Sequence, residues 1–192
     1  MEKISNDIFD IEYTNKDESY IESVIKKFFN QVPDIMNFFN ISKFNNKIKI
    51  KFWNNLDEYS SYFNEKLKKY GKKVEDWEVA RTIYNPSEIH LLSFSERVKC
   101  KGHKNDEIGS ISNLLTHEFV HICHFKYNNH HSSMLWFSEG LACYLSNQYN
   151  TLSLSCSLDT IMNDEFTSYI NYYTLMSYLV ENYDKSYILE LA

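Results

Sequence analysis

Four glycines and two prolines are all that punctuate 192 residues. A chain with so few places for a sharp turn favours long helices and a few strands over a turn-rich all-β design. Fifteen tyrosines and thirteen phenylalanines supply the bulk for an aromatic core. Hydrophobic residues at 43% and charged ones at 24% match ordinary globular usage, so one folding unit is expected over residues 1–192.

The periodicities place the elements. Residues 17–30, DESYIESVIKKFFN, put Tyr20, Ile21, Val24, Ile25 and Phe28 at helical spacing, with Asp17 typed as the cap. KIKIKFW over 47–53 alternates as a half-buried strand with Ile48, Ile50 and Phe52 inward. A helix from about Leu56 to Tyr70 should close on Gly71. WEVARTIYNPSEIHLLSF reads as a hairpin over 78–94 turning at Asn85, Pro86 and Ser87, and the polar run 95–106 as a loop. Helical patterns then dominate, at 109–126, 136–148 and 168–183, with another near 156–166.

Several partners are disfavoured. A net charge of −6 is the opposite of a nucleic-acid footprint, and the basic runs at 47–51 and 66–69 read as solvated faces. No stretch approaches the length of a membrane span. The N-terminal MEKISNDIFDIEYTNKDESY has no apolar signal core, so a cytoplasmic location is expected. Cys100, Cys123, Cys143 and Cys156 show no paired spacing, which fits free thiols in a reducing compartment.

The chemistry concentrates in ISNLLTHEFVHICHF. On a helix, residues four apart share a face, so His117 and His121 can both reach one ion. Glu118 follows the first imidazole directly, where its carboxylate can serve a water beside the metal without occupying the metal. A tetrahedral catalytic zinc wants a third protein donor from a neighbouring element, and the chain offers the stretch WFSEGLACY over 136–144, in which Ser138 is typed to cap a helix.

HEFVH followed eighteen residues later by Glu139 in WFSEGLACY resembles the gluzincin metallopeptidases. The resemblance spans roughly residues 78–183 and is strongest over 116–144. It implies an α+β, zincin-like fold in a single domain: a small mixed sheet and the active-site helix above a cleft, about 1–126, and a mainly helical lower part, about 127–192. It implies one zinc ion per chain, held by His117, His121 and Glu139, and peptide-bond hydrolysis with Glu118 as general base. It also implies a tyrosine donor to the oxyanion, at Tyr173 with Tyr172 second, and an extended peptide or protein substrate paired to an edge strand, for which 87–94 is the candidate.

The alternative is a zinc-binding peptidase-like domain without turnover, acting as a protein-interaction module. The related HExxHxxGxxH pattern fails, because 124 is His and 127 is Tyr. His124 is assigned to the helix end or to a role around the ligands, and His130 and His131 to a polar loop. Where many gluzincins carry an acidic residue four positions after the glutamate ligand, this chain has Cys143, which reads as a small buried hydrophobe.

Overall fold

The alternation of KIKIKFW folds as it predicts: β3 (Ile48–Trp53) buries Ile48, Ile50 and Phe52 and turns its lysines outward. The computed structural model describes residues 1–128, 134–149 and 168–192. The helix expected at 156–166, together with His130, His131 and Cys156, lies outside the described residues. Among the described residues the chain is mixed α and β, with a five-stranded mixed sheet.

The sheet runs in the order β1 (Glu2–Ser5), β2 (Phe9–Tyr13), β3, β5 (Ser87–Leu92), β4 (Ala80–Tyr84). The pairs β1–β2 and β4–β5 are antiparallel; β3 is parallel to both its neighbours. The hairpin expected at 78–94 is β4 and β5, joined through a cis Asn85–Pro86 bond. One expectation is overturned here. Residues 87–92 are no edge: β5 is hydrogen-bonded on one side to β3 and on the other to β4, so its backbone has no free row for a peptide. The pattern ‑IHLL‑, with His90, Leu91 and Leu92 all buried, is that of an interior strand. Among the described residues the outer strands are β1 and β4.

Strands β1 and β2 went unread in the acidic N-terminus, although Phe9 and Ile11 alternate with Asp10 and Glu12 and are both buried. The helix expected at 17–30 is α1 (Ile21–Phe38), and it continues through Pro33. A proline inside a helix costs about 3 kcal/mol; here Val32, Ile35 and Met36, all buried, offset it. Asp17 does not cap with its side chain, which instead accepts from the Thr14 amide and hydroxyl and from the Tyr20 hydroxyl. Helix α2 (Leu56–Leu67) starts on Asn55, whose side chain accepts from the Glu58 amide. It passes through a 3-10 turn to Gly71, which closes it in the left-handed conformation at φ 66°. The segment read as a loop at 95–106 holds a short helix, α3 (Phe94–Arg97), whose Arg97 pairs with Asp106.

Helix α4 (Gly109–Asn128) is followed by α5 (Leu135–Leu145), α6 (Tyr169–Asn182) and α7 (Lys185–Leu191). No described helix is long and apolar enough to cross a membrane. Contacts divide the chain into two compact units, Met1–Phe28 with Lys43–Leu115, and Phe29–Ser42 with Thr116–Ala192. The division falls after Leu115, inside α4. In the first unit the inner face of the sheet meets α1 through the edge-on Phe9–Phe28 ring pair, 5.1 Å apart. Trp53, Tyr59, Phe63, Val79, Leu92 and Cys100 form a further buried cluster there.

The second unit is built from α5 packed on α6 and from the two segments that begin at Phe29 and Thr116. The Thr116 hydroxyl donates to Gln31 Oε1 at 2.7 Å, and Phe39 stacks on His124. Gly140 is where α5 and α6 touch: a Cβ there would lie 2.6 Å from the Tyr172 carbonyl oxygen.

Candidate metal centre

The second unit contains all the residues singled out for chemistry. The helical period of LLTHEFVHICHF lays Leu115, Phe119, Ile122 and Cys123 into the core as buried residues, which commits the other stripe of α4 to His117 and His121. Their ring centroids are 4.7 Å apart and their Nε2 atoms 3.0 Å apart. Glu139, one turn into α5, brings Oε2 to 3.2 Å from His117 Nε2 and 3.6 Å from His121 Nε2.

These separations can be tested against a tetrahedral ion. Bonds of about 2.0 to 2.2 Å at tetrahedral angles put neighbouring donor atoms about 3.3 to 3.6 Å apart. The three atoms, separated by 3.0, 3.2 and 3.6 Å, mark one face of such a polyhedron. Two imidazole nitrogens and a carboxylate oxygen are also a donor set that suits a divalent transition metal. The group His117, His121 and Glu139 can hold a metal ion.

Outer partners fix both rings. His117 Nδ1 lies 3.0 Å from Gln148 Oε1, and His121 Nδ1 lies 3.3 Å from Ser138 Oγ. Ser138 therefore does not cap α5, whose N-cap is Met134 without a side-chain bond; it sits one turn inside and faces His121. Cys143 is fully buried with Sγ 3.4 Å from Gln148 Oε1 and 3.8 Å from His117 Nδ1. Burial pushes its thiol pKa far up, and the Glu139 charge adds to this, so it stays a thiol. Cys100, Cys123 and Cys143 are all free.

The electrostatics agree with the geometry. Burial pulls the basicity of His117 down, but the hydrogen-bonded Glu139 carboxylate, with Glu118 and Gln148, outweighs it and holds the imidazole above its ordinary value. Burial pushes Glu139 up, yet the imidazoles of His121 and His117 drive it well below the usual carboxylate range. Three donors thus converge on a place that favours positive charge. Glu118 is buried at 8% exposure on the turn of α4 between the two imidazoles.

The tyrosines sort themselves by placement. Tyr173 packs against the rings of Tyr144 and Tyr149, 6.1 and 5.8 Å away, and lines a hollow with Ile35, Phe38 and Ser177. Tyr172 is buried beneath α5, its carbonyl oxygen against Gly140. Tyr169, one turn earlier on α6, has its ring centroid 6.3 Å from that of His117. Partial burial raises its pKa, and the charges of Glu139 and Glu118 raise it further. Tyr169 lay on the helix already singled out, but nothing in a run of tyrosines marks which one faces the ligands.

His124 stands apart: its Nε2 meets the Ala192 backbone oxygen at 2.9 Å and its ring stacks on Phe39. The Gln148 contact had no sequence signal, because it arises where the chain turns back beyond the end of α5, and Ser138 carried only the signal of a helix cap. No protein-family model matches the chain, and neither does any curated protein or solved structure.

Proposed function

We propose that this chain is a zinc-dependent peptidase of the gluzincin kind, with His117, His121 and Glu139 as the ligands and Glu118 as general base. The observation that carries this reading is the closure of the three donor atoms to 3.0, 3.2 and 3.6 Å around one point, with Glu118 on the same helical turn. A five-stranded mixed sheet, then a helix bearing HEFVH, then a helix bearing the glutamate, is an element order that supports a zincin-like fold.

Zinc held by these donors would supply a Lewis acid, which brings the ionisation of water to near pH 7 and polarises a carbonyl. The Glu118 carboxylate takes the proton of the attacking water and passes it to the amine nitrogen as the C–N bond breaks, leaving a carboxylic acid and an amine. The hydroxyl of Tyr169, in place of that of Tyr173, would donate a hydrogen bond to the oxyanion; its ring centroid 6.3 Å from that of His117 supports this reading. The substrate is a peptide or protein segment.

Metal analysis of the purified protein, paired with cleavage of an unstructured protein such as casein, tests this. One equivalent of zinc, lost in both His117→Ala and Glu139→Ala, is expected together with chelator-sensitive cleavage. Unchanged metal content in both variants would refute the ligand assignment. A zinc-loaded protein that leaves casein and short peptides intact would instead support a binding domain without turnover.

A further inference from the structure

His117 can serve a metal through Nε2 only if its proton resides on Nδ1, and an acceptor for that proton sets the tautomer. No carboxylate occupies the position four residues after Glu139; it is Cys143. The acceptor comes instead from beyond the end of α5. Ser146 ends that helix, Asn147 takes the left-handed conformation at φ 57°, and the Gln148 amide returns to the Cys143 carbonyl at 3.2 Å while the Asn147 amide bonds Tyr144 at 3.2 Å. This pair of bonds is a Schellman closure. It turns the chain back so that Gln148 Oε1 sits 3.0 Å from His117 Nδ1, with Cys143 Sγ as a second donor at 3.4 Å. A thiol donor on that oxygen marks the end of the carboxamide that faces the imidazole as the acceptor.

We infer that Gln148 is the positioning residue for His117: its carboxamide oxygen accepts Nδ1–H, holds the imidazole in the tautomer that frees Nε2, and does so without adding a negative charge to the centre. This rests on the metal-centre reading for its purpose, but not for its geometry. An uncharged acceptor withdraws less of the proton than a carboxylate would, so the imidazole remains a weaker donor to the metal. Replacing Gln148 by glutamate should therefore strengthen metal binding, and replacing it by leucine should weaken it.

The test uses the full chain and two readouts. Zinc affinity, measured by competition with a chromophoric chelator, is expected to fall about tenfold to a hundredfold in Gln148→Leu and to equal or exceed wild type in Gln148→Glu. In metal-free Glu139→Ala protein, where no carboxylate competes for the Nε2 proton, nitrogen-15 spectra of the neutral His117 imidazole should show the Nδ1–H tautomer, and a mixture once Gln148→Leu is added. Helical circular dichroism and the unfolding midpoint of both variants check that the fold persists. Equal zinc affinity in wild type and both Gln148 variants, or the Nε2–H tautomer in metal-free Glu139→Ala protein, would overturn the inference. A wild type that binds no zinc, with the Nδ1–H tautomer held in Glu139→Ala protein and lost when Gln148→Leu is added, would sink the metal reading while leaving the positioning intact.

Discussion

Glu118 carries the sharpest residue-level consequence of the proposed chemistry. Glu118→Gln is nearly isosteric on a buried helical turn, so the metal should stay while cleavage disappears, because an amide cannot take up the proton of the attacking water. Retained wild-type turnover would exclude Glu118 as the base. The tyrosines offer a paired comparison. Tyr169→Phe should lower kcat by roughly a hundredfold to a thousandfold with KM little changed, as for a donor engaged only in the transition state. Tyr173→Phe, which loses a hydroxyl among the rings of Tyr144 and Tyr149, should leave kcat near wild type; the reverse outcome would return the role to Tyr173. Proton competition follows from His117, whose basicity is held above its ordinary value by Glu139. A raised value means that the metal-free imidazole keeps its proton further up the pH scale, and the metal must displace it. Zinc affinity should fall as pH drops, by about tenfold per unit for each proton displaced. An affinity that is flat between pH 8 and pH 6 would contradict this. At this scale HEFVH and Glu139 were legible because helical spacing alone dictates which side chains can share an ion, whereas Gln148 and Tyr169 depend on how a turn and a neighbouring helix fold back.

Helices were the most legible elements, since their periodicity is long and the core enforces it. Gly109–Asn128 and Tyr169–Asn182 fall within a few residues of the runs 109–126 and 168–183 read from the sequence. Errors arose where a local signal met a tertiary demand. The helix read to residue 30 persists through Pro33 because the next turn buries Val32, Ile35 and Met36, and Ser138 looks like a cap yet lies inside α5 facing His121. Strand order was illegible altogether: alternation says that 87–92 is a strand, but only long-range pairing decides that β4 lies outside it. The α5–α6 contact yields its own prediction. A methyl at Gly140 would meet the Tyr172 carbonyl oxygen at 2.6 Å, with Met176 Cβ at 3.3 Å behind it. Backbone cannot swing aside as a side chain can, so Gly140→Ala should force the helices apart and cost about 1 to 3 kcal/mol. Because Glu139 is the adjacent residue, the same variant should hold zinc less tightly. A denaturant midpoint and a zinc affinity both equal to wild type would show that the close approach has no consequence.

Across the whole molecule, the proposed ligands all lie in the unit formed by Phe29–Ser42 and Thr116–Ala192, whose boundary falls inside α4. Charge and hydropathy carry no mark of such a boundary inside a continuous helix. The placement of all three ligands in one unit makes metal binding a stabiliser of that unit. A ligand that binds only the folded state adds about 2.7 kcal/mol when its free concentration is a hundred times its dissociation constant. For a chain of this size that corresponds to a rise in Tm of about 5 to 11 °C. The rise should be absent in His117→Ala, which removes a donor but leaves the core residues of α4 in place. Hydrogen exchange places the effect along the chain: zinc should increase amide protection around residues 116–128 and 134–145, which carry the donors, and much less in β1, β2 and β3 of the other unit. A zinc-dependent Tm rise that survives in both His117→Ala and Glu139→Ala would mean that the ion is held elsewhere. Protection gained chiefly in the sheet would refute the assignment of the centre to the second unit.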